Sequence, residues 1–294
     1  MNGPRLIVSG PVNIRMGPDM ARQQVDDLAA KGVKWTGEIG LTPEPGPTDQ
    51  EIEGLKAAVD EAAKKGITVQ VHAVSTPAMV AAVDAGVRRL VHLPNKDWVT
   101  RSAAQKLAST NTIILRTIGF GAPVVIPPGG APIPAFFPGL PPPGGAGIPQ
   151  SFPADDKPRF RSGGPWPDSI VGANVDDQGK PTGTEAGYTI VNARTIRDQG
   201  VLLGYCTDTE YEARAALEHE LKSYNVVFSM ADMVKIMGSN TAAYLNMSDQ
   251  LGTLEPGKLA DIILQDGNPL EGYWNWLKVK LVVKGGRIAV DKRS

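Results

Sequence analysis

Ile67-Thr68-Val69-Gln70-Val71-His72-Ala73 and Arg88-Arg89-Leu90-Val91-His92-Leu93 are two short apolar runs of the same design, each closing on a histidine. Between them lies Thr76–Ala85, a helix-forming stretch halted by Gly86, as glycine commonly halts helices. Strand, helix, strand at this spacing predicts two parallel neighbours joined by a right-handed crossover. Both histidines then emerge at the same end of adjacent strands, the end where α/β sheets and barrels bind ligands.

The pattern extends in both directions. Upstream, Leu6–Val8 is predicted as a brief strand, Asp19–Lys31 as a helix stopped by Gly32, and Val33–Leu41 as a strand. Thr48 followed three residues later by Glu51 predicts a capping box for a helix that runs to Lys65 and ends at Gly66. Downstream come a helix at Thr100–Ala108 and a strand at Thr112–Ile118, then a helix at Glu185–Gln199 and a strand at Val201–Tyr205. Helices are expected at Ala213–Ser223 and Ser229–Leu245. The runs Gly252–Gln265 and Lys278–Val290, rich in Val, Ile and Leu, predict a separate β layer.

Residues 121–183 break the pattern, with Pro127-Pro128-Gly129-Gly130 and Pro141-Pro142-Pro143-Gly144-Gly145 among them. Proline and glycine at that density sustain neither a helix nor a central strand. The stretch reads as an insertion, either a lid laid over the sheet's ligand end through Phe136, Phe137, Phe152, Phe160 and Trp166 or a plain surface loop.

Composition sets the outer limits. The 294 residues are 41% hydrophobic and 21% charged, an ordinary globular balance that can bury a sizeable core. A net charge of −1 gives no global attraction to nucleic acid or an anionic membrane. Cys206 is the one cysteine, so neither an internal disulfide nor a cysteine zinc cage can form. No secretory leader is legible at the start, and no apolar run reaches the roughly 18–20 residues of a membrane span. The expectation is a cytoplasmic protein acting on a small molecule, with no nucleic acid and no membrane partner.

Three histidines are present in all: His72, His92 and His219. Asp208 follows the strand Val201–Tyr205 within Gly204-Tyr205-Cys206-Thr207-Asp208-Thr209. Two imidazoles and a carboxylate at strand ends can hold a divalent metal. A histidine at a strand end is also commonly a hydrogen-bonded structural residue, and an aspartate there a helix cap. Spacing alone leaves both readings open.

The C-terminal run Leu251-Gly252-Thr253-Leu254-Glu255-Pro256-Gly257-Lys258-Leu259-Ala260-Asp261-Ile262-Ile263 resembles the hallmark of the metal-dependent amidohydrolase superfamily, in which G-x-[IL]-x-x-G-x-x-A-D opens the return into a small β-sandwich. Asn268-Pro269-Leu270 and Val282-Val283-Lys284-Gly285-Gly286-Arg287 fit the same pattern, and Gly204–Thr209 resembles its G-T-D strand. The two histidine strands resemble its fifth and sixth barrel strands, and the tone is closest to the imidazolonepropionase- and prolidase-like branch.

That resemblance implies a (β/α) TIM-type barrel in residues 1–250, interrupted by the insertion, with a C-terminal β-sandwich segment in residues 251–294. It implies His72 and His92 as metal ligands and Asp208 as the catalytic group that takes the proton of the attacking water. Where the family carries a bridging lysine or glutamate, Glu38 in Val33-Lys34-Trp35-Thr36-Gly37-Glu38-Ile39 is the expected third ligand, Lys34 falling too early. His219 is expected to be structural, and Tyr188, Arg116 and Arg161 are possible substrate contacts. The family's first-strand His-x-His is absent, so about six barrel units and one metal, Zn²⁺, are expected. A missing N-terminal segment, a fragment, or closure by a homo-oligomer would each account for the shortfall. The reaction implied is hydrolysis of an amide, cyclic amide, peptide-like or ester bond. The alternative is a catalytically degenerate barrel that binds a ligand or partner.

Overall fold

In the computed structural model, residues 3–118, 185–208 and 213–293 are described, with the two-residue strands Val124–Val125, Ile133–Pro134, Asn174–Val175 and Pro181–Thr182 between them. The remainder of the 121–183 insertion, Arg161 among it, lies outside the described residues. The chain divides into two compact units: Met1–Leu115 with Thr195–Leu202, and Arg116–Arg194 with Leu203–Ser294.

The first unit carries the alternation of strand and helix. Its strands are β1 (Trp35–Gly40), β2 (Thr68–His72), β3 (Arg89–Val91) and all but the last residue of β4 (Ile113–Arg116), each parallel to the next. Between them run α1 (Pro18–Ala30), α2 (Asp49–Lys65), α3 (Thr76–Asp84) and α4 (Arg101–Ser109). With β5 (Leu202–Tyr205), sheet order is β1-β2-β3-β4-β5. Among the described residues these strands form a row of five, and no ladder closes it into a ring.

The sixth expected strand is not formed. Leu6–Val8 is irregular, with Leu6 79% and Val8 63% exposed, and only Gly10 pairs with the sheet, in an isolated parallel bridge to Thr36. Pro4 and Pro11 flank that segment and supply no N–H to a ladder. The run between them keeps its own amides, so the prolines cap the length a strand here could reach, and Gly10 N donates into the sheet, to the Trp35 carbonyl at 3.1 Å.

Alternation in β1 and β2 sorts the side chains. Trp35, Ile39, Val69 and Val71 are buried, whereas Glu38, Gln70 and His72 stay at least partly exposed. Period-two geometry puts these sets on opposite faces. Helix α2 packs on β2 and α1 packs on α2, and their inward residues Val25, Leu28, Leu55 and Ala58 are almost fully enclosed.

The expected capping box is present: Thr48 Oγ1 accepts from Glu51 N, and Glu51 Oε2 accepts from Thr48 N. Glu51 also accepts from Thr42 N, Thr42 Oγ1 and Arg15 Nε, so one buried carboxylate ties the loop after β1 to the start of α2. Burial pushes its pKa up, but the bonds from Thr48, Arg15 and Thr42 together outweigh this and hold it below the ordinary value.

The second unit contains α6 (Ala213–Val227), after α5 (Glu185–Asp198), which spans the division between the units. The helix expected at Ser229–Leu245 is broken into α7 (Met230–Lys235), a π-helical turn at Ile236–Asn240, and α8 (Thr241–Tyr244). Its start was well marked, for Ser229 and Asp232 form a capping box. Its interior holds Gly238-Ser239-Asn240, poor helix formers, and Thr241 Oγ1 donates to the Ile236 carbonyl, five residues back.

A three-stranded antiparallel sheet follows, β6 (Ile262–Gln265), β7 (Val279–Lys284) and β8 (Arg287–Asp291). Gly285 and Gly286 turn β7 into β8 with φ of 55° and 77°, a two-residue hairpin that asks for positive φ at both positions. Asp261 Oδ1 accepts from Gly285 N at 2.7 Å and the Ala260 carbonyl from Gly286 N at 3.0 Å. The Ala-Asp of the C-terminal motif therefore anchors the hairpin. The motif's Gly252 has φ of 93°, and a Cβ there would lie 2.8 Å from Ala242 Cβ and 2.9 Å from Ser239 Cα. No helix of the described residues is long and apolar enough to cross a membrane.

Candidate metal centre

Parallel register brings the first three candidate ligands together. Gly40 pairs with His72, and His72 with Val91, so His72 and His92 leave the ends of neighbouring strands. Glu38 lies two residues before Gly40 and therefore on the same face of β1. Lys34 precedes β1 and is exposed.

The donor atoms of Glu38, His72 and His92 all fall within 4.8 Å of one another, and they are the one such group among the described residues. Glu38 Oε2 lies 3.3 Å from His72 Nδ1 and 3.1 Å from His92 Nε2. The imidazole centroids are 4.7 Å apart with the rings 73° to each other. His92 is buried, and Glu38 and His72 each keep more than a third of the side chain exposed, so the cluster has one wall in the protein and one open side.

The hydrogen bonds from His72, and then those from His92, draw the Glu38 carboxyl down to about 2, against the opposing effect of partial burial. Glu38 is therefore anionic at neutral pH and needs no deprotonation to accept a cation. An anionic oxygen beside two imidazole nitrogens is a donor set that divalent transition ions accept, and three protein donors leave a coordination position open. The residues fit a metal.

Backbone conformation marks the same places. Among the described residues, four other than glycine have positive φ: His92 (68°), Asn111 (54°), Asp208 (45°) and Asn246 (57°). Asn111 and Asn246 follow helices, where asparagine readily adopts this conformation. His92 and Asp208 follow strands instead, and strain at such positions is concentrated at working sites. The His92 amide still donates to the Leu115 carbonyl at 2.7 Å, so the ladder with β4 holds the residue in place.

Asp208 lies three residues past β5, exposed, in the second unit. His219 falls within α6, and its side chain lies outside the described residues. Tyr188 is half-buried in α5. Arg116, expected among the substrate contacts, is wholly buried at the end of β4, its guanidinium carbon 4.4 Å from the Tyr224 ring centroid and 4.0 Å from that of Phe228. Neither its burial nor its aromatic setting was legible in sequence, because its cover comes from a helix over 100 positions downstream.

Comparison with known proteins points the same way. Residues 187–289 match the amidohydrolase family, the region that contains the C-terminal motif. Solved structures of the same fold include an amidohydrolase, 23% identical, with a TM-score of 0.64 over 95% of this chain and 59% of that one. A prolidase complexed with N-methylphosphonate-L-proline is 21% identical, with a TM-score of 0.63 over 94% of this chain and 59% of that chain. A putative prolidase from Bifidobacterium longum is 20% identical, with a TM-score of 0.66 over all of this chain and 69% of its own. The resemblance to the amidohydrolase superfamily is thus shared by a family match to residues 187–289 and by the fold of these structures. The chain spans about 59% of the length of the first two structures. No curated protein matches the sequence.

Proposed function

We propose that this chain is an amidohydrolase-type, metal-dependent hydrolase that cleaves an amide, cyclic amide, peptide-like or ester bond of a small molecule, with C–N bonds favoured. The carrying observation is the convergence of Glu38, His72 and His92 within 4.8 Å at adjacent strand ends. These three side chains would hold one divalent ion, Zn²⁺ by the chemistry of the donors. When bound, such an ion supplies Lewis acidity, which acidifies water and polarises a carbonyl.

The chain's own contributions are distinct. Glu38 brings a permanent negative charge, and the ladder bond from the His92 amide fixes one imidazole on the buried side. His72, on the open side, leaves room for substrate. Asp208 is assigned the general-base role: it accepts the proton of the attacking water and returns it to the leaving group, a role supported by the resemblance of Gly204–Thr209 to the family's strand. The TIM-type barrel and the cytoplasmic setting belong to the same reading.

Metal analysis of the purified chain, coupled to hydrolysis assays on N-acyl amino acids, lactones and aryl esters, tests it. The expected result is about one equivalent of metal, reduced at least tenfold in His72→Ala and Glu38→Gln with the circular dichroism unchanged. Asp208→Asn should keep the metal and lose about 10²–10⁴-fold in turnover. A zinc-supplemented protein that retains no stoichiometric metal, with activity indifferent to His72→Ala, would overturn the proposal.

A further inference from the structure

The most anomalous group among the described residues is the Arg116 guanidinium. It is 0% exposed, and Nε, Nη1 and Nη2 all lack a hydrogen-bond partner. Buried polar atoms are overwhelmingly paired, so a guanidinium whose charge is supported by Tyr224 and Glu220 but whose N–H groups lack geometric partners calls for an explanation. Two aromatic rings, Tyr224 and Phe228, lie close to the guanidinium carbon, and such contacts attract the cation without using its N–H groups. The in-plane edge, with its fork of donors, remains to be satisfied.

A second unmet donor stands nearby. The Tyr205 hydroxyl is buried without a partner, and its ring lies 5.5 Å from that of Tyr224, the ring that also contacts Arg116. Burial, then the charge of Glu220, pushes the Tyr205 pKa upward, so the hydroxyl stays a donor. By contrast Tyr224 is engaged, its hydroxyl donating to the Arg116 carbonyl at 2.7 Å. Glu220 is engaged as well, with Oε2 accepting from Ile118 N at 2.9 Å. The Tyr224 hydroxyl and the Glu220 carboxylate also support the Arg116 charge from nearby, but none of the three guanidinium nitrogens has a partner in hydrogen-bond geometry.

We propose that Arg116 and Tyr205 form the donor wall of an enclosed site in the second unit that takes one small planar oxyanion, of the size and shape of a carboxylate. A guanidinium edge matches the two oxygens of such a group in bidentate fashion. The Tyr205 hydroxyl adds a donor that is independent of charge. Enclosure limits the guest to a few heavy atoms, since the guanidinium nitrogens and the hydroxyl are sealed from solvent. The site stands apart from the metal reading, because none of Glu38, His72 or His92 contributes to it.

Equilibrium dialysis of the full chain against radiolabelled formate at constant ionic strength, with and without EDTA, tests the assignment. The expected result is one formate per chain, unchanged by EDTA, displaced by nitrate, and weakened at least tenfold in Arg116→Met. Methionine can occupy the slot beside Tyr224 and Phe228 without the donors, and near-ultraviolet circular dichroism reports whether it does. Should that variant not fold, Tyr205→Phe provides the second test, with a severalfold weakening expected. Absence of bound formate in the wild type, equal binding by whichever variant folds, or binding abolished by EDTA would each overturn the proposal. The last outcome would assign the formate to a metal and leave the hydrolase reading intact.

Discussion

The two sheets of this chain use apolar residues in opposite ways. In the parallel sheet Ile39, Val71, Leu90 and Ile114 are at most 1% exposed, and in β2 burial alternates strictly, Gln70 and His72 lying on the open side with Glu38 of β1. In the C-terminal sheet Ile262, Ile263, Leu264, Ile288 and Val290 are all between 38% and 61% exposed. Cross-strand register there groups Ile262, Val283 and Ile288 on one face and Ile263, Val282 and Val290 on the other. Both faces are apolar and neither is sealed. The parallel sheet thus draws its stability from side-chain burial, whereas the C-terminal sheet leans on its ladders, its hairpin and the Asp261 anchor.

Paired truncations should separate the two regimes. Leu90→Ala, in the parallel sheet, is expected to cost about 2–5 kcal/mol, the range for a large-to-small change in a closed core. Ile263→Thr, in the C-terminal sheet, is expected to stay within about 0.5 kcal/mol, as for other surface positions. Chemical unfolding of both variants checks the contrast, and comparable losses would show that Ile263 is covered in solution.

A smaller effect sharpens the picture of the first sheet. Thr48→Ala removes the side-chain half of the capping box and should cost about 1 kcal/mol. Glu51 keeps its bonds from Arg15 and Thr42, so a loss several times larger would mean that the loop after β1 had detached as well.

The smallest expected effect concerns acid. Glu38 has a folded value of about 2 against 4.5 ordinarily. A carboxyl depressed in the folded state stabilises the fold above its ordinary value and loses that contribution as pH falls through the folded one. Metal-free wild type should therefore exceed Glu38→Gln in stability near pH 5–6, with the difference closing toward pH 2. Partial exposure of Glu38 keeps the difference small. A gap that widens on acidification would contradict the bonding described for Glu38.

Much of this was legible in the sequence because the physics was local. Strands β1–β4 announce themselves by apolar runs, and α2 by a capping box whose partners are three residues apart. The Glu38–His72–His92 cluster followed from strand ends plus resemblance, and parallel register supplied the face of Glu38 that one-dimensional reading left open. What failed depended on more than the local pattern. Leu6–Val8 has strand composition, but only Gly10 beyond it pairs with the sheet. The π turn at Ile236–Asn240 interrupts a well-capped helix through a side-chain bond five residues back. Arg116 and Tyr205 could not be recognised as buried donors, since the aromatic rings around them come from distant segments.

The division of faces in β1 and β2 has a practical consequence for anyone surveying variants. Positions 38 and 72 contribute little to keeping the chain folded, because the neighbours that do so point the other way. A screen scored on abundance or solubility would pass almost any substitution at either site and rank both as dispensable. On the proposed metal role, only an assay of bound metal or of turnover would register them, so tolerance in the first kind of screen combined with intolerance in the second would itself mark such residues.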